Sequence, residues 1–426
     1  MSSSGIPSQH YRERIADSML ARALSALGAV LIEGPRACGK TETARRHAAS
    51  EVLLDVDAAV RSAADIDPAL LLEGPVPRLL DEWQLEPRVW DAVRRVVDAR
   101  RAVGQFVLTG SAAPIDDVRR HSGAGRVAVV RMRPMSLFEL GASPGAVSVR
   151  ALLDGAEVPP LRCDIDLSGY AERTVIGGWP ALLGHSVEDA SIFVRSWIDG
   201  VVEHDVQTAT GRQRNPAMLR RFLRAYAQMT AHPVPIARIL DRAAGEADDG
   251  KTPSRWTAEP YLDALRRLMV VEDVDAWNIA LRSRARLMET PKRHFADPSL
   301  AAALMDCAPQ RLLRDLRTFG FLFESLVTRD VRVYAEANDA AVFHYRERAG
   351  ELEVDLIVER RDGAWIGLEV KLGGERAIEE AAISLRRLAE SRAASAPAQL
   401  AVITAGGYAY RREDGVAVVP LGLLGP

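Results

Sequence analysis

The sequence predicts an α/β protein of two or three domains, with a parallel sheet first, a helical stretch in the middle and a second α/β body last. Three observations predict it. Short apolar runs alternate with helix-period segments through the first 140 residues, the order of a parallel sheet with crossover helices. Residues from about 165 to 285 then read as mostly helical. Beyond residue 316 come a helix, three short apolar runs with turns at Ala349-Gly350 and Asp362-Gly363, a second helix and a further run. At 426 residues the chain is long enough for each domain to bury its own core.

The elements follow in order. "AVLIE" (29–33) reads as a buried strand and "TETARRHAAS" as a helix. "EVLLDVD", "VPRLLDE" and "GQFVLTGS" read as further buried strands. "PRVWDAVRRVVDARR" is amphipathic, with Val89, Val93, Val96 and Val97 on one face. Between Gly141 and Pro160 the composition shifts to Gly, Pro, Ala and Ser, which predicts a linker. The expected division is 1–142, a linker over 143–165, a helical domain over 166–285, and 286–426. In the middle domain "PAMLRRFLRAYAQMT", "VPIARILDRA" and "SRWTAEPYLDALRRLMV" read as three helices. The apolar run "VVEDVDAW" follows. Three helices and a β-ribbon are the order of a winged helix.

Lysine use directs attention to chemistry. Of 55 basic residues only Lys40, Lys251, Lys292 and Lys371 are lysine. A chain that prefers arginine keeps lysine where a compact ammonium is needed. Lys40 lies in "GPRACGKT" (34–41), which matches G-x-x-x-x-G-K-[ST] between a strand and a helix. Gly34 and Gly39 let backbone N–H groups close around phosphates, with Pro35, Arg36, Ala37 and Cys38 forming the rest of the loop. Lys40 can reach the β- and γ-phosphates, and Thr41 can ligate magnesium. "RLLDEWQ" ends an apolar strand in Asp81, placed for the magnesium, and Glu82, placed to polarise water. "FVLTGS" puts Thr109 and Ser111 at another strand end, where a hydroxyl can sense the γ-phosphate.

These residues together resemble the AAA-type ATPases. The likeness is to a bacterial and archaeal subgroup with a short ATPase domain followed by a C-terminal domain of unknown function. "YRERI", "GPRACGKT", "DEWQ", "LTGS", "GAGRV", "RPMSLFE" and "GGWPALL" occur in the expected order over nearly the whole chain. The resemblance implies ATP and Mg2+ as ligands, Tyr11 and Arg12 near the nucleotide, and a homo-oligomer. In such an oligomer Arg126 of "GAGRV" would complete a neighbouring subunit's site. Cys38 stands where a branched apolar residue is commoner, and Glu42 where threonine is frequent. Cys38 is either redox-sensitive or a small buried hydrophobe.

Lys371 lies in "LEVKLG". Glu369 and Lys371 share one strand face, and a hairpin turning at Asp362-Gly363 can bring Asp355 beside Glu369. Glu324 lies upstream on a helix. The order helix Glu, Asp, Glu-x-Lys resembles the PD-(D/E)XK nuclease fold, a restriction-endonuclease-like α/β core. That resemblance implies a metal at Asp355 and Glu369, with Glu324 as a further ligand and Lys371 beside them. An active nuclease and a fold that binds without cutting both remain open.

Residues 212–270 hold eleven Arg or Lys against six Asp or Glu, a surplus of +5 in a chain of net charge −3. Arg212, Arg214, Arg220, Arg221 and Arg224 open this segment. Ser254, Arg255, Trp256 and Thr257 begin its third helix, so DNA is one candidate partner and packing on protein the other. His204 and Glu139 read as structural. Three scattered cysteines give no disulfide framework or metal spacing. The start lacks a signal-peptide core, and no apolar run approaches a membrane span, so the expected location is the cytoplasm. The composite expectation is an AAA-type ATPase joined to a winged helix and a nuclease-like domain, acting on or near DNA. The alternative is a nucleotide-gated scaffold whose sites act as structural switches.

Overall fold

The computed structural model describes residues 11–56, 58–110, 123–207, 215–245, 255–277, 290–347, 352–391 and 396–426. Of the residues singled out above, Ser111, Arg212, Arg214, Lys251, Ser254, Ala349 and Gly350 lie outside the described residues, as do the side chains of Arg255, Trp256 and Thr257. The chain forms two compact units, Met1–Gly34 with Gly39–Met132 and Pro35–Cys38 with Arg133–Pro426.

The first unit is a five-stranded, wholly parallel sheet. Its strands are β1 (Ala29–Glu33), β2 (Ser50–Leu53), β3 (Arg78–Asp81), β4 (Phe106–Gly110) and β5 (Val127–Arg131), in the order β2-β3-β4-β1-β5. Helices α1 (Ile15–Ala26), α2 (Lys40–His47), α3 (Ala58–Ile66) and α4 (Arg88–Arg100) accompany it. Helix α4 buries Val89, Val93 and Val97 in a core with Leu80, Phe106 and Leu108. Burial of each valine stabilises by about 1.5–3 kcal/mol. Because all five strands are parallel, the residues that follow β1, β3 and β4 emerge at one edge. The chain leaves β1 for β2, works back to β4 and then crosses β1 to reach β5. Such a reversal of strand order leaves a crevice at the carboxyl ends. Strand β5 was not among the expected strands. "VAVVR" is short and sits at the sheet edge with Val129 exposed, so it carries no buried-strand signature.

The second unit contains a mixed seven-stranded sheet. Its strands are β7 (Leu161–Cys163), β8 (Ala340–Arg346), β9 (Glu353–Arg360), β10 (Trp365–Lys371), β11 (Gln399–Thr404), β12 (Gly407–Arg411) and β13 (Ala417–Pro420). Their order is β7-β12-β13-β11-β10-β9-β8. The stretch 143–165 is not a linker. It holds β6 (Val147–Ser148), helix α5 (Val149–Leu153) and β7. Strand β7 pairs with β12, and β6 pairs with β14 (Leu424–Gly425). Its Gly, Pro and Ala content hid strands of two or three residues whose partners lie at 407–425. The stretch 143–165 belongs to the compact unit that runs from Arg133 onward.

Helices α6 (Leu167–Ile176) and α7 (Val187–Gly200) lead to the expected trio α8 (Pro216–Ala227), α9 (Ile236–Gly245) and α10 (Arg255–Arg267). Pro216 takes the first turn of α8, and the Asn215 side chain caps it by accepting from the Met218 N–H at 3.2 Å. Residues 271–274 then form antiparallel bridges with 292–295. After α11 (Pro298–Leu304) and α12 (Pro309–Arg314) comes α13 (Leu316–Ala337), buried all round from Leu322 to Ala335. A helix so enclosed must pair every charge it carries. Helix α14 (Glu375–Ser391) lays Ala381, Ala382, Leu385 and Leu388 on the sheet with Trp365 and Val402.

Candidate functional site

The glycine loop leaves β1 and turns into α2. Ala37 (φ 61°) and Gly39 (φ 100°) adopt left-handed conformations, a bend for which glycine at 39 is suited and alanine at 37 is uncommon. Cys38 is fully buried, as a small hydrophobe would be. The Lys40 ammonium donates to the Gly34 carbonyl at 2.9 Å, which closes the loop on itself. Thr41, the next residue, donates its hydroxyl to Asp81 Oδ1 at 3.0 Å. Thr109, opposite Asp81 in the β3–β4 ladder, donates to the same oxygen. Parallel pairing thus brings Lys40, Thr41, Asp81 and Thr109 to one sheet edge. A hydroxyl and a carboxylate oxygen 3.0 Å apart are a hard-oxygen donor pair that fits Mg2+.

Glu82 leaves the sheet at φ 54°, ψ 44°, a left-handed conformation strained for a side-chain-bearing residue. Its carboxylate accepts a hydrogen bond from the Gln84 amide. Gly110, at the end of β4, faces this amide, and a β-carbon there would sit 2.4 Å from Gln84 Oε1. Gln84 was missed in the sequence, although it belongs to the quoted "DEWQ".

Tyr11 is pinned rather than open. Its hydroxyl donates to Asp17 Oδ2 at 2.7 Å and lies 2.8 Å from the Thr43 hydroxyl, while the Arg46 guanidinium lies over its ring. Burial pushes the phenol well above its ordinary range. Burial also opposes the Asp17 charge, but hydrogen bonds from His47, the Arg14 N–H and Tyr11 hold that carboxyl below its usual value. Arg12 is exposed. Arg126 precedes β5, so it lies at the sheet edge opposite the glycine loop, bonded to Asp98 at 2.6 Å. A five-residue strand spans about 16 Å, which keeps Arg126 from its own loop.

The second cluster assembles on α13, β9 and β10. One step beyond the last ladder pair, Leu368 with Leu356, Asp355 stands beside Glu369. The ladder ends there because the Val370 N–H donates to Asp355 Oδ2 at 2.9 Å instead. Lys371 donates to Glu369 Oε2 at 2.6 Å and lies 3.7 Å from Asp355 Oδ2. Glu324 of α13 joins them through a residue absent from the expected set. Lys292, 1% exposed, donates to Asp355 Oδ1 at 2.8 Å and Glu324 Oε1 at 2.9 Å, with Glu353 Oε1 at 3.4 Å. Its scarcity in the sequence was the signal that could have found it.

Burial, with the Asp355 charge, pushes the Glu324 carboxyl up to about 8 and Glu369 well above its ordinary value. Burial would raise Asp355 as well, but the ammonium groups of Lys292 and Lys371 hold it below its usual range. Both lysines stay charged, since these carboxylates outweigh their own burial. A stability consequence follows for Glu324. The folded protein keeps a proton that the unfolded chain releases near its ordinary value of 4.5. This contribution is complete below that pH and is lost as pH rises toward about 8. Thermal midpoints measured from pH 5 to 8 are expected to fall less steeply in Glu324→Gln than in the unsubstituted chain.

In the middle of the chain, Arg220 pairs with Asp199 at 2.6 Å and Glu203 at 3.2 Å, Arg266 with Asp273 at 2.7 Å and Arg267 with Asp263 at 3.3 Å. These internal partners lower the positive charge left for an outside ligand. Glu139 is buried and accepts from the Ser136 N–H at 2.8 Å and hydroxyl at 2.9 Å. His204 lies in a short π-helical turn, Val201–Asp205. No described helix is long and apolar enough to cross a membrane.

Comparison with known proteins divides the chain into three stretches, two of them within the second unit. Residues 27–141 match the family described as an AAA domain. Residues 167–311 match a domain of unknown function (DUF8612), and residues 319–424 match another (DUF4143). Two relatives, uncharacterized proteins of Mycobacterium bovis and Mycobacterium tuberculosis, are each 26% identical over 420 residues, 96% of this chain and 83% of theirs. The AAA match, laid over a parallel sheet with the glycine loop at its carboxyl edge, supports a P-loop ATPase domain followed by two domains of unknown function.

Proposed function

We propose that the first unit hydrolyses ATP with Mg2+. The observation that carries this reading is the meeting of Lys40, Thr41, Asp81, Glu82 and Thr109 at one edge of the parallel sheet. Lys40 turns from the Gly34 carbonyl toward the β- and γ-phosphates. Thr41 and Asp81 hold the metal, which when bound neutralises charge on the phosphate oxygens. Glu82, kept in place by Gln84, orients and polarises water. Thr109 couples the Asp81 strand to the γ-phosphate position, a task shared with Ser111. Phosphate release from ATP that stops on chelation of Mg2+ is the direct test, and no release at any Mg2+ concentration counts against the reading.

We further propose that subunits share the site through Arg126, which cannot serve its own loop. The Asp98 pair that holds Arg126 is exposed and cheap to exchange for a phosphate. Arg126→Ala is expected to keep ATP affinity and lose turnover, and mixing it with Lys40→Ala is expected to restore part of the activity. A strictly monomeric protein with full turnover at high dilution refutes this arrangement.

For the second unit, three helices and a bridged ribbon support a winged helix, and the +5 surplus supports contact with DNA. ATP turnover measured with and without DNA, beside a salt titration of DNA affinity, tests that coupling. The scaffold alternative gains from one observation: a lysine stands among the carboxylates expected to bind metal.

A further inference from the structure

We propose that Lys292 is the resident cation of the carboxylate cluster, occupying with its ammonium the role that a divalent metal would otherwise fill. Four acidic side chains, Glu324, Glu353, Asp355 and Glu369, converge there from α13, β9 and β10. Four carboxylate oxygens that a metal would use already have donors. Asp355 Oδ1 and Glu324 Oε1 accept from Lys292, Asp355 Oδ2 from the Val370 N–H, and Glu369 Oε2 from Lys371. An ammonium has three donors and here faces three carboxylates. Among the described residues, no group of three or more His, Cys, Asp or Glu is spaced to hold a metal ion. The carboxylates expected to bind metal therefore do not fit that role as they stand.

The source of the lysine matters as much as its position. Lys292 belongs to the ribbon strand that follows the helical trio. Its backbone exchanges two 2.9 Å hydrogen bonds with Val274. The ribbon therefore delivers the cation from outside the sheet that bears the acids. An ammonium so deeply buried is strongly unfavourable unless paired, and acids crowded there without it repel one another. Ribbon and carboxylates hold each other through this one side chain. Any divalent ion that entered would have to displace it, so metal and ribbon compete for one place.

The competition can be measured on the full-length protein without nucleotide, with Mn2+ as the probe and its paramagnetic resonance as the readout. The unsubstituted chain is expected to show no Mn2+ binding that depends on Asp355. Lys292→Ala is expected to gain such binding, and to lose at least about tenfold in Mn2+ affinity when Asp355→Asn is added. Ion held at the glycine loop is unaffected by Asp355→Asn, so a failed ATPase reading would not mimic this result. Asp355-dependent Mn2+ binding in the unsubstituted chain overturns the proposal, as does a folded Lys292→Ala that gains none. Should Lys292→Ala not fold, Lys292→Met combined with Asp355→Asn, which removes the carboxylate that stays charged, decides the matter. Recovery of the folded state in that charge-balanced pair supports the counter-cation role, and failure to recover overturns it.

Discussion

Glu82→Gln is expected to bind ATP about as well as the unsubstituted chain and to turn it over at least about tenfold more slowly. The amide keeps the size of the side chain but is a poorer acceptor for a water proton. Lys40→Ala is expected to fail earlier, at binding. It removes a charge-assisted donor worth about 1.5–3 kcal/mol, an affinity loss of about 10- to 150-fold. Lys40→Arg is not expected to rescue it, because a planar fork cannot follow the path of an ammonium that folds back on Gly34. Nucleotide affinity and phosphate release, measured on all three variants, separate the roles. Unchanged turnover in Glu82→Gln removes that residue from the mechanism.

Arg329→Met is expected to lower stability by about 3–5 kcal/mol, the usual consequence of stranding a buried charge. Arg329 is buried on α13. It donates to Asp297 Oδ2 at 2.9 Å and to Asp330 Oδ1 at 2.7 and 2.9 Å. The two aspartates are fully buried and reach further. Asp330 accepts from the Leu137 N–H and Asp297 from the Gly178 N–H, both at 2.9 Å. One guanidinium thereby ties "RPMSLFE" and "GGWPALL" to the same helix. The order of those motifs was visible in the sequence, but their shared anchor was not. Chemical denaturation should show the loss, and Asp297→Asn added to Arg329→Met should recover part of it by removing one stranded charge. A variant within about 0.5 kcal/mol of the unsubstituted chain would show that the triad does not hold this unit together.

Local chemistry was the legible part of this chain. The glycine loop, Asp81 and Thr109 follow from strand ends and spacing, because parallel pairing brings strand ends together wherever the strands themselves are recognised. Asp355 and Glu369 were legible for a similar reason, since a hairpin fixes its own register across a short turn. Lys292 escaped because its partners lie on a helix and a strand far along the chain, and "PKRHF" has no period or spacing that points to them. The same blindness turned 143–165 into a linker. A strand of three residues is defined by what it pairs with, and β7 pairs with β12.

The pairing of β7 with β12 and of β6 with β14 also sets the order in which a newly made chain can mature. The sheet of the first unit is complete once residue 131 has been made. The second unit cannot close until Leu424 reaches Val147 and accepts the Ser143 hydroxyl at 2.6 Å. At ~5–20 residues per second, synthesis leaves the segment around Val147 waiting for ~15–55 s without its partner. Val147, Val149 and Leu152, all buried in the finished protein, wait through part or all of that interval for neighbours still to be made. The ribosome therefore presents a finished first sheet while the second unit, to which Pro35–Cys38 of the glycine loop belong, is still incomplete.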